Sequence, residues 1–163
     1  MMRNRMEILA LLMGCTFGVA FSGHCAASES PKGAYQIASL EAKVFHANTG
    51  RFSTSILTDP PTTLLNGVGT EGPFDGMLIL VRVEGPAAQF TPELKVHVTA
   101  QAKVDTLLND ATFIRTVNKS GNYYAAFWLR PEPCIPLRIS ARLELPDHPG
   151  PWVSGNVILE CTE

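Results

Sequence analysis

The main pattern along this sequence is an alternation of apolar and polar residues, and it predicts β-strands. The clearest case is residues 135–145, where every second residue from Ile135 to Leu145 is apolar. Residues 94–102 alternate in the same way, with Val96 and Val98 on one side. Because successive side chains of a strand point to opposite faces of a sheet, this period of two predicts strands with one buried face.

Seven segments carry a strand pattern and are separated by turn residues. They are residues 35–46, 77–84, 94–102, 106–117, 123–129, 135–145 and 152–160. Residues 77–84 are apolar on both faces until Arg82, which is typical of a central strand. Within 106–117, Asn109-Asp110 predicts a turn, so that the strand itself covers residues 112–117. About seven short strands in this arrangement predict an all-β fold, a single antiparallel β-sandwich.

Turn-forming residues support this fold class and indicate a particular kind of sandwich. All 12 prolines lie beyond residue 30, which leaves little room for long helices. Gly121-Asn122-Tyr123 precedes an apolar strand and resembles the tyrosine corner, in which the tyrosine hydroxyl bonds to upstream backbone. The resemblance implies a sandwich that is immunoglobulin-like in the broad sense.

The first 27 residues have a different pattern, that of a secretory signal peptide. Arg3 and Arg5 precede an uncharged apolar run at residues 8–21, and Cys25-Ala26-Ala27 places small residues before a cleavage between Ala27 and Ser28. As a helix the run would rise about 21 Å, which is short of the roughly 30 Å hydrocarbon core of a membrane. We therefore expect a periplasmic or secreted protein, with an uncleaved membrane anchor as the alternative.

Cleavage after Ala27 divides the chain into a signal peptide at 1–27, a flexible lead-in at 28–34 and a sandwich domain at 35–163. No later segment reaches 18 consecutive apolar residues, so we expect no membrane span in the mature chain. Leu12-Met13-Gly14-Cys15 resembles the lipobox of bacterial lipoproteins, and lipidation of Cys15 would tether the protein to a membrane. The residues that follow Cys15 stay apolar, which favours the free exported form.

The cysteines agree with export. Removal of the signal peptide leaves only Cys134 and Cys161, and two cysteines in an oxidising compartment usually pair. If the last two strands form a hairpin centred near His148, the two cysteines meet at its open end. We expect Cys134 to lie in the irregular stretch before the strand. The alternative is that the two cysteines bind a metal or act as a redox pair. The mature chain has no C-x-x-C motif that would support this alternative.

The composition bears on the class of partner. The net charge of −2 becomes one unit more negative once Arg3, Arg5 and Glu7 leave with the signal peptide. Nucleic-acid binding needs clustered Lys and Arg to neutralise phosphates, so we expect no nucleic-acid partner. We also expect no cofactor, because no glycine-rich phosphate loop leads into a helix.

Three histidines, His46, His97 and His148, are the main candidates for chemistry in the mature chain. We expect them to be solvated surface residues. The alternative is a periplasmic copper or zinc site that uses all three. A hydrolase is the least favoured function, since no serine lies in a G-x-S-x-G context.

Residues 51–76 form the longest irregular stretch, rich in Pro, Gly, Ser and Thr. The simplest interpretation is a crossover between two sheets, but loops of this length also bind ligands. We therefore expect a non-enzymatic binding or interaction module that binds an unidentified protein or small molecule at this segment. Asp59, Glu71 and Asp75 are candidate calcium ligands there, although they lack regular D-x-D-x-D spacing.

Two smaller features complete the predictions. Trp128 and Trp152 fall in or beside predicted strands, so we expect them to pack in the core, with contact to a partner as the alternative. Asn118-Lys119-Ser120 fits the N-glycosylation pattern, which has meaning only in a host that glycosylates exported proteins.

Overall fold

The computed structural model describes residues 35–65, 68–69, 72–88, 91–114, 119–130, 134–145 and 149–161. Within these ranges all regular structure is β-strand, and none of it is a helix long and apolar enough to cross a membrane. The predicted signal peptide, the cleavage site between Ala27 and Ser28, Cys15 and the lead-in at 28–34 lie outside the described residues.

The strands of the described part follow the predicted pattern closely. They are β1 (Gln36–His46), β2 (Arg51–Phe52), β3 (Thr63–Leu65), β4 (Val68–Gly69), β5 (Gly72–Pro73), β6 (Gly76–Glu84), β7 (Lys95–Ala102), β8 (Asp105–Phe113), β9 (Asn122–Leu129), β10 (Leu137–Glu144) and β11 (Val153–Glu160). Six of the seven predicted strands coincide with β1, β6, β7, β9, β10 and β11 to within two residues at each end.

These strands form two sheets. The first sheet has the order β2-β1-β6-β9, and all of its neighbours are antiparallel. The second has five main strands in the order β3-β11-β10-β7-β8, and the two-residue strands β4 and β5 extend it beyond β3. Only β3 and β11 pair in parallel among the described strands. The arrangement is consistent with the predicted antiparallel β-sandwich.

The inward side chains of both sheets make one hydrophobic core. From β6 it takes the four fully buried residues Met77, Ile79, Val81 and Val83. From β10 it takes Leu137, Ile139, Ala141 and Leu143. Each fully buried aliphatic side chain contributes about 1.5–3 kcal/mol, so the alternation of these rows stabilises the facing sheets.

The predicted turn at Asn109-Asp110 is wrong. Both residues lie within β8, which ends at Phe113, and the turn comes earlier, where Lys103 has a φ of 54°. The reason is the position of β8 at the edge of the second sheet, where it pairs only with β7. Most of its side chains are exposed, and an exposed edge strand tolerates polar residues that a buried strand does not.

Residues 51–76 cross between the sheets, as the simpler interpretation predicted. β2 pairs with β1 in the first sheet, whereas β3 pairs with β11 in the second, and the chain returns to the first sheet at β6. Ile56 and Leu64 are buried on the way. The crossover is thus tied to both sheets by backbone pairing and by its own apolar residues.

The hydrogen bond expected of a tyrosine corner is present. The Tyr123 hydroxyl donates to the backbone carbonyl of Phe113 at 3.2 Å, which ties the start of β9 in one sheet to the end of β8 in the other. Gly121 precedes it with a φ of 75°, and a Cβ there would lie 2.6 Å from the carbonyl oxygen of Gly85. The approach to β9 therefore requires glycine at this position.

The predicted disulfide is confirmed. Cys134 and Cys161 are bonded, with their Cα atoms 4.9 Å apart. Cys134 lies in a turn before β10, as expected, and Cys161 directly follows β11. The bond therefore closes the open end of the β10–β11 hairpin.

Removal of this bond should lower the free energy of unfolding. The bond closes a loop over a sequence separation of 27, for which loop-closure entropy predicts a loss of about 3.5 kcal/mol in a Cys134→Ser/Cys161→Ser variant. Urea unfolding of the variant and of the oxidised wild type measures the difference. Intact mass after alkylation, with and without reduction, checks the bond; two alkylated thiols in the unreduced protein would contradict it.

Candidate binding face

The segment predicted to bind a partner is largely occupied by structural roles. The Asp75 carboxylate accepts a hydrogen bond from the backbone N–H of Ala47 at 2.9 Å. Asp59 is exposed, and Glu71 lies outside the described residues. Within the described ranges no three His, Cys, Asp or Glu side chains are grouped to hold a metal ion. The calcium site therefore stays a prediction, since Glu71 is outside the part of the chain that the structure describes.

The prediction that His46 is solvated is wrong. His46 ends β1 on the same inward row as Ala42 and Val44, and it is 0% exposed. Its Nδ1 lies 3.1 Å from the carbonyl oxygen of Pro73, to which it can donate only as the tautomer protonated at that nitrogen. His46 thus joins the end of β1 to the end of the crossover.

His97 lies on the opposite side of the second sheet from the core, so it cannot share a site with His46. It is an outward residue of β7, between the buried Val96 and Val98. His148 lies outside the described residues. The structure therefore gives no support to a copper or zinc site built from all three histidines.

Both tryptophans are exposed, and the prediction that they pack in the core is wrong. Trp128 and Trp152 each keep 45% of their surface accessible. In β9 the inward positions are taken by Phe127 and Leu129, so the intervening Trp128 points outward. Trp152 directly precedes β11 and lies beside outward residues of β7 and β10.

Trp128 belongs to an aromatic cluster on the outer face of the first sheet. We define this cluster as Phe45, Phe52 and Trp128, whose ring centroids lie 5.1–6.3 Å apart. Gly76 lies beneath the indole, and a Cβ at that position would come within 2.8 Å of its Cε2 atom. The absence of a side chain at Gly76 lets the indole lie against the sheet.

The outer face of the second sheet has a different character. We define the polar face as eight of the outward residues of β7, β10 and β11 together with Trp152: His97, Thr99, Gln101, Arg138, Ser140, Arg142, Ser154, Asn156 and Trp152. The register places these side chains in rows across the strands. One row is Asn156–Arg138–Gln101 and the next is Ser154–Ser140–Thr99.

Charged neighbours hold Trp152 at one end of the polar face. The Arg142 guanidinium lies over the indole, with its Cζ 4.6 Å from the ring centroid, and the His97 ring is 5.7 Å away. Arg142 Nη2 donates to Glu144 Oε1 at 3.0 Å, and His97 Nδ1 lies 2.9 Å from the same oxygen. His97 Nε2 is 2.6 Å from Asn109 Oδ1. Four side chains thus position one exposed indole.

Two shallow clefts run along the polar face and share Gln101 and Arg138. One has a volume of about 480 Å³ and extends past Lys103 and Asn156, and the other has about 310 Å³ and ends at Trp152. Among the described residues, no acidic side chain lines either cleft. Arg138 is exposed, and no hydrogen bond or ion pair of the described part involves its guanidinium.

The polar face presents three kinds of group to solvent. It offers a cation at Arg138, amide and hydroxyl groups in two rows, and a flat aromatic surface at Trp152. Both ring nitrogens of His97 face Glu144 and Asn109, which leaves neither nitrogen available to activate a hydroxyl. Strand alternation alone could have placed Arg138 and Asn156 on this face, but it could not show that Trp152 joins them.

Glu144 contacts both Arg142 and His97, and its environment favours the ionised form. Partial burial by itself raises its pKa, but the hydrogen bonds from Arg142 and His97 and their charges outweigh burial and hold the pKa below its usual value. The ionised carboxylate therefore keeps Arg142 and His97 in place against the indole.

Glu144→Gln should make stability less dependent on pH in the acid range. The pKa of Glu144 is lower in the folded protein than in the unfolded protein, where it is 4.5. The contribution of Glu144 to the free energy of unfolding is therefore fully present above pH 4.5, and it is lost as the pH falls through the pKa of the folded protein. Urea unfolding from pH 3 to pH 7 measures this; the variant should be less stable than wild type at pH 7 and converge with it in acid. A constant difference across the range would contradict the expectation, and Glu41→Gln in the first sheet is the control.

Comparison with known proteins gives no assignment. No protein family matches the chain, and no curated protein matches it significantly. The side chains of the two outer faces are therefore the basis for a functional proposal.

Proposed function

We propose that this protein is an exported, non-enzymatic binding module, a sandwich that is immunoglobulin-like in the broad sense, and that its ligand binds to the polar face. One observation carries the proposal: the exposed Trp152 is held by Arg142 and His97 at the end of a cleft that also contains Arg138, which has no ionic partner among the described residues. Ligand sites typically combine an apolar surface with a few polar groups that fix orientation.

The proposed site lies mainly outside residues 51–76, the segment favoured by the sequence pattern, although Pro61 of that segment lines the larger cleft. That segment pairs with strands of both sheets and buries Ile56 and Leu64, so fewer of its groups remain for a ligand. The polar face lies on the paired strands β7, β10 and β11. A rigid scaffold of this kind holds side chains in fixed positions, which reduces the entropy lost on binding.

Export is supported by the signal-peptide pattern of residues 1–27 and by the disulfide. Both Cys134 and Cys161 are exposed, so the bond would meet the reductants of a cytosol directly. The immunoglobulin-like assignment is supported by the Tyr123 hydrogen bond to Phe113.

Expression of the full chain in a Gram-negative bacterium tests export. We expect the periplasmic fraction to contain residues 28–163 with Ser28 at the N-terminus, because cleavage should follow Ala27. N-terminal sequencing and intact mass measure this, and Cys15→Ser should leave the result unchanged. A membrane-bound product that carries a lipid mass and depends on Cys15 would show the tethered form instead.

Ligand screening by NMR tests the binding face. Mixtures of oligosaccharides, short peptides and small metabolites are added to ¹⁵N-labelled mature protein. We expect the responding amides to belong to β7, β10 and β11, and Trp152→Ala to abolish the response. Trp128→Ala is the matched control, since the two tryptophans are equally exposed on different sheets. Shifts confined to the aromatic cluster or to residues 51–76 would overturn the proposal.

A further inference from the structure

We infer that the ligand of the polar face is a saccharide chain that carries carboxylates. The inference rests on the proposed function and adds the chemical class of the ligand. Three features of the face carry it: the sign of its charge, the row of donors around Arg138, and the combination of an indole with hydroxyl groups.

The charge of the clefts is opposite to that of the protein. The whole chain has a net charge of −2, but the charged side chains that line the clefts among the described residues are Lys103 and Arg138. Nearby, Glu144 is already paired with Arg142 and with His97. An unneutralised positive charge in an otherwise acidic protein selects for an anionic ligand.

The donors around Arg138 suit a carboxylate. Arg138 lies directly opposite Gln101 on β7 and Asn156 on β11, and Cβ atoms of directly opposed residues lie about 4.5–5.5 Å apart. A guanidinium binds a carboxylate with two parallel hydrogen bonds, and the flanking amides each supply further N–H donors. No hydrogen bond within the described part occupies the side chain of any of the three.

The rest of the polar face suits a ligand rich in hydroxyl groups. Thr99, Ser140 and Ser154 form the row between Arg138 and Trp152. The Ser140 and Ser154 hydroxyls share a hydrogen bond at 2.9 Å, and each hydroxyl can still make further hydrogen bonds because it both donates and accepts. The accessible part of the Trp152 indole provides a flat apolar surface for the C–H face of a sugar ring. The rows of Arg138 and Arg142 are four residues apart along β10, or about 13 Å, which indicates a chain rather than a single sugar.

Two other anionic partners fit less well. A nucleic acid is recognised by many Lys and Arg side chains that follow its phosphates, whereas the described residues that line the clefts include two cations, Lys103 and Arg138. An extended acidic peptide gains most of its affinity by adding a strand to a sheet edge. The polar face lies over β10, which is paired on both sides by β7 and β11, so its backbone groups are already bonded.

The test compares two forms of one saccharide. Oligogalacturonate and its fully methyl-esterified form have the same sugar rings, but only the first carries carboxylates. Isothermal titration with the mature, disulfide-bonded protein should show oligogalacturonate binding at least about tenfold more tightly, because hydrogen bonds between charged groups exceed the 1.4 kcal/mol that a factor of ten represents. Added salt should reduce the difference.

Two variants separate the parts of the inference. Arg138→Gln should lose about tenfold in affinity for oligogalacturonate and little for the ester. Trp152→Ala should weaken the binding of both. Arg82→Gln and Trp128→Ala on the first sheet are the matched controls, and both should bind like wild type.

Each contrary outcome contradicts a defined part of the inference. Equal affinity for oligogalacturonate and its ester would contradict the inference that the ligand carries carboxylates. Equal or tighter binding of polyglutamate or of oligo(dT) would contradict the inference that the ligand is a saccharide. Failure of both saccharides, with another ligand found at the polar face by NMR, would overturn this inference and leave the proposed function intact. If no ligand perturbs the polar face, this inference and the proposed function are both wrong.

Discussion

The burial of the inward rows of β6 and β10 in one core determines where the other side chains of the sheets point. Strand residues alternate between two faces, so once Leu137, Ile139 and Ala141 are inside, the residues between them must be outside. A shift of one residue in register would exchange the two sets and place Arg138 and Arg142 in the core. The same hydrophobic constraint that holds the sheets together thus arranges the outward residues of β10 in a straight line.

The two outer faces that result differ in their chemistry. In the first sheet, Phe45, Phe52 and Trp128 contact one another and Trp128 lies against Gly76. In the second sheet, Trp152 is surrounded instead by ionic and polar groups, which leave it accessible beside a cleft. Equal exposure of two tryptophans therefore does not imply equal roles, because the neighbours decide which one can meet a polar ligand.

Much of this fold could be predicted from the sequence, since six strands carry either a clear alternation or a continuous apolar run. The wrong predictions concern residues whose burial does not follow from their residue type. Asn109 and Asp110 look like a turn only if β8 is assumed to be half buried, and the sequence cannot show that β8 is an edge strand. His46 looks like a surface residue from its polarity, yet the alternation through Ala42 and Val44 places it inside.

The candidate site was harder to predict because it combines residues distant in the chain. Arg138, Gln101 and Asn156 become neighbours only through the pairing of β7 with β10 and of β10 with β11. Residues 51–76 stand out in the sequence because a long irregular stretch is continuous along the chain, whereas a face shared by three strands is not. The disulfide was predictable for the opposite reason, since only two cysteines remain to pair in the predicted mature chain.

The contact between Gly76 and Trp128 has a consequence for the evolution of this chain. Any side chain at position 76 would occupy the volume of the indole, and loss of the indole would leave the glycine with an uncovered backbone. Neither residue can change alone without cost, so the two positions form a coupled pair across β6 and β9. Homologous chains should then either keep both residues or replace both, and such covariation would identify this pair of strands from sequences alone.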